Sequence, residues 1–336
     1  MGVSMDAKIE PWKICVDIVN NNLDHMEGHY FVKETFKGNS HQEVMIIIDN
    51  ILTNYEKDFH ILDWLDKPTH DGAIEKLKKL VQSAGYSTET PNLNSSKSLD
   101  EYYKNYSVSA SDHFSSQAQY SASTAARKYI LLPLAFDRKV AKMGHSIPNA
   151  YYDQSLNSIY FMVGILRPPF FHVENPEYMN YGAFGGIAGH EIGWWSNTTE
   201  KTFNQKAQCF VEQYGNFTIK GPDGKDYNLN GKFTLRENLA DNGGLKMSFR
   251  AWQSRIKFDP QGKKIKNFKL PGQEKYTPEQ HFFMFFGRNY FKKMRPEAVL
   301  LMVQADNHSP SMWSINGVAQ TRLISQGPSS ARLGAP

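Results

Sequence analysis

The sequence predicts a mainly α protein with a small β-sheet, an α+β class. Three observations carry this. Apolar residues recur at helical spacing over several long stretches, one short segment alternates instead, and no internal repeat runs through the 336 residues.

In chain order, Val44 to Tyr55 and Ile74 to Ala84 carry helical apolar spacing, with Gly85 placed to stop the second helix. Ser87 to Ser98 is polar and reads as a linker. Ser107 to Arg127 is predicted helical despite many polar residues. Asn157 to Val163 reads as a strand, because Ile159, Phe161 and Val163 alternate with Ser158, Tyr160 and Met162. Helices follow over Tyr181 to Ile192, Phe203 to Tyr214 and Thr234 to Ile256.

The charge is nearly balanced, 38 basic against 34 acidic residues for a formal +4. Lys263-Lys264-Ile265-Lys266 is among the few basic clusters and suits a solvated face, so a nucleic-acid partner is not expected. No apolar run reaches the ~18–20 residues of a membrane-spanning helix. Met1 to Pro11 lacks the apolar stretch of a secretory leader, so the chain as written is expected to be cytoplasmic. The two cysteines, Cys15 and Cys209, agree with free thiols in that compartment. Nothing in the sequence sets the oligomeric state.

Chemistry concentrates in a few motifs. His190-Glu191-Ile192-Gly193-Trp194 begins like H-E-x-x-H, in which two histidines at i and i+4 bind zinc from one helix face. The second histidine is replaced by Trp194, whose indole N–H has no lone pair for a metal. Downstream, Glu237 and Asp241 stand one helical turn apart in Glu-Asn-Leu-Ala-Asp-Asn-Gly-Gly. One can ligate a metal while the other accepts the N–H of a ligating histidine. Asn149-Ala150-Tyr151-Tyr152 and His308-Ser309-Pro310 flank this region. Taken singly, each has a plainer reading: Asn149 as a turn residue, His308 as a surface histidine, Asn242-Gly243-Gly244 as a helix stop. His25 and His29 also sit at i and i+4 around Glu27, but Gly28 weakens that helix and no E-x-x-x-D partner follows, so no metal site is expected there.

Together, N-A-Y-Y, G-I-L-x-P-P-F-F, N-Y-G, G-H-E-I, Q-C-x-V-x-Q-Y, E-N-x-A-D-N-G-G and H-S-P stand in an order that resembles the neprilysin and endothelin-converting-enzyme family of zinc metalloendopeptidases. The likeness runs from about Trp12 to about Gly317 and corresponds to the C-terminal half of a typical member. It implies an incomplete zincin-like metallopeptidase domain acting on peptide substrates with one zinc ion. By resemblance His190 and Glu237 are zinc ligands, and Glu191 is the general base that takes a proton from the attacking water. Asp241 orients a ligating histidine, and His308 stabilises the oxyanion. Asn149 and Ala150 hydrogen-bond the substrate backbone like an added strand. Members are ectoenzymes, extracellular or membrane-anchored, and the partners of Cys15 and Cys209 would lie in parts this chain lacks.

The chain departs from the family in two places. Trp194-Trp195 looks like a pair that in the family follows a Gly- and Asp-rich loop after the second histidine. The simplest reading is an internal deletion at 193/194 that removed ligand and loop together. The rival is a His-to-Trp substitution; resumption of the family pattern from Phe203 to Tyr214 favours the deletion. Ser314 stands where the family carries a substrate-gripping arginine. The zinc site is therefore expected to be weakened and the chain catalytically impaired or inactive, with a non-catalytic peptide-binding decoy as the alternative. Residues 1–106 read as the helical part of the ectodomain, 107–317 as the catalytic subdomain, and 318–336 as a divergent, disordered tail. The aromatic run His281 to Phe286 is expected to leave apolar surface incompletely covered.

Overall fold

The computed structural model describes residues 10–88, 91–131, 137–140, 143–192, 200–258 and 267–326. Two units are grouped by spatial contact. The first holds Gln42–Lys79 and the chain from Pro168 onward; the second holds the chain up to His41 together with Leu80–Arg167. The division expected from the sequence followed chain order, with a boundary at 106/107.

In the second unit, α1 (Pro11–Asn22) packs on α2 (Asp24–Thr35). Helices α5 (Ser96–Tyr103) and α6 (His113–Leu131) follow strand β1 (Val81–Gly85). Ser95 caps α5 by accepting from Ser98 N, so the stretch read as a linker ends inside a helix. The sheet has the order β1-β3-β2, formed with β2 (Ala150–Asp153) and β3 (Ser158–Met162). Strand β3 pairs in parallel with β1 and antiparallel with β2. The predicted strand is thus present, but all five of its residues are buried rather than alternate ones, because it is the central strand. The helix predicted over Ile74 to Ala84 is corrected. Helix α4 (Lys67–Lys78) ends first, and Val81 to Gly85 turns to strand by pairing with Ser158 to Met162. Gly85 ends that strand at φ 87°, a conformation open to glycine.

His25 and His145 meet in the interior of this unit, with Nδ1 of His25 3.2 Å from Nε2 of His145. Tyr103 OH accepts from His25 N and donates to Asp24, while Gly85 O lies 3.4 Å from His145 Nδ1. Burial pulls both imidazoles down, His145 to about 4, and the nearby His25 adds to the effect on His145. His25 is therefore a packing residue; His29 contacts Leu93 O through Nδ1. Well above its ordinary value of 6.5, His145 contributes no pH dependence, because it is neutral folded and unfolded. As pH falls from there toward about 4, only the unfolded chain gains the proton, and stability drops. His145 alone is expected to cost about 3 kcal/mol across that window. Hydrogen exchange of β1 and β3 amides should accelerate between pH 7 and pH 5 in the wild type more than in His145→Gln, after correction for intrinsic exchange. Equal acceleration would refute it.

The first unit is built around a long helix, α10 (Leu235–Phe258), crossed by α8 (Gly186–Ile192). Glycines let the two backbones touch: a Cβ on Gly189 would stand 2.5 Å from Gly244 O, and one on Gly244 would stand 2.4 Å from His190 N. The Asn-Gly-Gly segment accordingly lies inside a continuous helix and does not stop it. Before α8, α7 (Glu177–Asn180) passes into a π-helical turn, Tyr181–Gly185. Side chains serve the carbonyls of this segment: Ser248 Oγ donates to Tyr181 O and Asn289 to Ala183 O. Helix α3 (Ser40–Phe59) braces the same region. Tyr55 OH donates to Gly189 O, and buried Asp58 accepts from Lys246 at 2.8 Å and pairs with Arg250.

Helix α9 (Glu200–Gly215) leads into a hairpin of β4 (Thr218–Lys220) and β5 (Asp226–Asn228), which the sequence reading did not include. Tyr214, Phe217, Ile219 and Leu229 form its core, with Trp313 stacked on Phe217 at 4.1 Å. Helices α11 (Pro278–Arg288), α12 (Pro296–Ala305) and α13 (Ser311–Gln326) complete the unit. The aromatic run in α11 is largely covered: His281, Phe282 and Phe286 are buried, and Met284 is exposed. The disordered tail expected from residue 318 is corrected as far as Gln326. Val318 is buried and Thr321 donates to Gln213, so packing on α9 holds the helix past Gly317. Residues 327–336 lie outside the described residues. So do the Lys263–Lys266 cluster and Trp194-Trp195-Ser196-Asn197, hence the 193/194 junction itself. No helix among the described residues is long and apolar enough to cross a membrane.

Candidate metal centre

Four sequence-predicted side chains converge in the first unit. His190 arrives on the last turn of α8, and Glu237 and Asp241 on the first two turns of α10. The Gly189–Gly244 crossing brings these two helices into reach. His308 comes from the loop between α12 and α13, where Asp306 Oδ1 accepts from its backbone N–H and from its Nδ1, both at 2.9 Å.

Glu237 is the hub. Its carboxylate is buried, and Oε2 lies 3.2 Å from His190 Nε2 and 3.3 Å from His308 Nε2. Its other oxygen, Oε1, accepts from Asn307 Nδ2 at 2.7 Å. Oε2 accepts no hydrogen bond, although it is sealed from solvent. One donor atom each from His190, Glu237 and His308 lies within 4.8 Å of the others. A buried carboxylate oxygen facing two imidazole nitrogens is the donor set of a zinc site, so these residues fit the ion.

Asp241 holds the other side of His190. Its Oδ1 accepts from His190 Nδ1 at 2.8 Å and from Tyr290 OH at 3.0 Å. Burial alone would lower the His190 imidazole. The hydrogen bond and charge of Asp241, with the carboxylates of Glu237 and Glu191 nearby, outweigh it and hold the group well above its ordinary value. Tyr290 is pushed up by burial and by Asp241, so it stays a phenol and a donor. Glu191 is half-buried, next to His190 on α8.

Asn149 and Ala150 are not part of this cluster and belong to the second unit. Ala150 opens β2, an edge strand, and Asn149 folds its Oδ1 back to accept from Ala150 N at 2.9 Å. Ser314, which the resemblance sets where the family carries an arginine, is buried and donates to Ser309 O. Cys15 and Cys209 are exposed, and neither forms a disulfide among the described residues. Sequence reasoning missed Tyr290, Asp306 and Asn307; the last two adjoin His308, and that proximity was the available signal.

Peptidase family M13 matches residues 149–193 and 192–322, two segments that meet at the break in the zinc motif, and its N-terminal part matches 2–87. The chain is similar to Neprilysin-11 of Caenorhabditis elegans, at 31% identity over 91% of this chain and 37% of that protein. It is also similar to human Membrane metallo-endopeptidase-like 1, at 32% identity over 92% of this chain and 41% of that one. The chain thus spans about two-fifths of the length of these relatives. Among solved structures, a Mycobacterium tuberculosis zinc metalloprotease in complex with inhibitor aligns at TM-score 0.76 and 25% identity, over 93% of this chain and 47% of that one. The fold is mainly α with small sheets and zincin-like.

Proposed function

The chain belongs to peptidase family M13, and from that membership we propose a neprilysin-like zinc metallopeptidase centre whose hydrolysis of peptides is impaired in this form. The observation that carries the reading is Glu237 Oε2, buried, facing His190 and accepting no hydrogen bond. His190 and Glu237 would hold the ion, which when bound supplies Lewis-acid polarisation of a peptide carbonyl and of water. Asp241 fixes the ring of His190 and leaves its Nε2 free to ligate. Glu191, one residue along α8, is the base that would take the proton of the attacking water. Strand β2, the outer strand of its sheet, suits recognition of an extended peptide backbone, with Asn149 and Ala150 as its contacts. Impairment follows from Trp194, which cannot ligate, and from Ser314, which lacks a charge.

The test is cleavage of a quenched fluorogenic peptide by the zinc-loaded chain and by Glu191→Gln. Both should be equally slow. Zinc-dependent hydrolysis that Glu191→Gln abolishes would overturn the impairment. The alternative, a peptide-binding product without turnover, is favoured by the intact edge of β2 and predicts that the fluorogenic peptide binds equally to both proteins. A separate expectation concerns Asp241→Asn, which should weaken zinc binding by about 10–100-fold in competition with a chromogenic chelator. Unchanged affinity would show that Asp241 does not orient the ligand.

A further inference from the structure

We infer that His308 supplies the third protein ligand of the metal centre, in place of the second histidine of the zinc motif, which this chain lacks. The inference rests on the zinc reading above and departs from the family pattern, in which a histidine at this place acts on the oxyanion.

Two observations support it. First, the two histidines are presented alike. Each Nδ1 is held by an aspartate, Asp241 for His190 and Asp306 for His308, and each Nε2 faces the same oxygen of Glu237. Donation of Nδ1–H to a carboxylate fixes the tautomer whose Nε2 lone pair is free for a metal. Second, the spacing suits coordination. Tetrahedral ligands about 2.0–2.1 Å from zinc stand about 3.3 Å from one another. The two Nε2 atoms lie 3.2 and 3.3 Å from Glu237 Oε2. His308 is also tied to the hub through its neighbour, since Asn307 donates to Glu237 Oε1.

The consequence is an exchange of roles. A His308 that ligates has its Nε2 occupied and cannot donate from it to a developing oxyanion. The centre then keeps its metal at the expense of turnover. Because 55% of the His308 side chain is exposed and the residue sits on a loop, zinc should exchange readily.

Zinc affinity of the full chain, measured by competition with a chromogenic chelator, decides the matter, together with an X-ray absorption count of imidazole ligands. Wild type should bind one zinc through two imidazoles. His308→Ala should lower affinity at least about 100-fold, as His190→Ala does, and reduce the count to one. Asp306→Asn, which spares the ligand, should lower affinity about 10-fold. Circular dichroism of each variant checks that the fold is retained. Affinity in His308→Ala within about threefold of wild type, or a single imidazole in wild type, would overturn the inference and leave the zinc reading standing. Absence of zinc binding in wild type would overturn both.

Discussion

Gly189→Ala is expected to destabilise the first unit by roughly 3 kcal/mol or more, and to weaken zinc binding with it. The new methyl group would meet Gly244 at 2.5–2.8 Å through backbone atoms. A flexible side chain could yield at that distance; two helix backbones yield only by moving apart. Moving apart separates His190, next to Gly189, from Glu237, two turns before Gly244. Gly244→Ala makes the same clash from the other side, so the two losses should combine to less than their sum. Denaturant unfolding of both single variants and the double variant measures this. Wild-type midpoints would show that the helices do not cross this closely.

Glu237→Ala is expected to abolish stabilisation by zinc. A ligand that binds only the folded state stabilises it by about 2.7 kcal/mol at a hundredfold excess over Kd. Thermal unfolding of the wild-type chain should therefore shift upward on adding zinc, and that of Glu237→Ala should not. Without zinc the variant should be less stable than wild type, because it leaves Asn307 without its acceptor and takes a carboxylate away from His190. An undiminished zinc-dependent shift in Glu237→Ala would remove Glu237 from the centre.

What could be read in advance divides by range. His190, Glu237 and Asp241 were legible because local spacing carries their chemistry: a motif on one helix, and two acids one turn apart on another. Strand β1 was not. Ile74, Leu77, Val81 and Ala84 fit a helical stripe, and pairing with β3, far along the chain, decides against it. The β4–β5 hairpin had a turn signal in Gly221-Pro222-Asp223-Gly224, but strands of three residues show no periodicity. His308 was singled out by resemblance alone. Its approach to Glu237 depends on the loop that joins two helices, which no local pattern encodes.

The commitment of Asn307 to Glu237 bears on modification. Asn307-His308-Ser309 satisfies the acceptor pattern for N-linked glycosylation. In the folded chain the acceptor amide is hydrogen-bonded to Glu237 Oε1, and the hydroxyl of buried Ser309 donates to Asn238. A glycosyltransferase needs both groups free and extended. A sugar could therefore be added here only before folding, and once attached it would keep Asn307 from reaching Glu237. For this triplet, a glycan and the contact of Asn307 with Glu237 exclude each other.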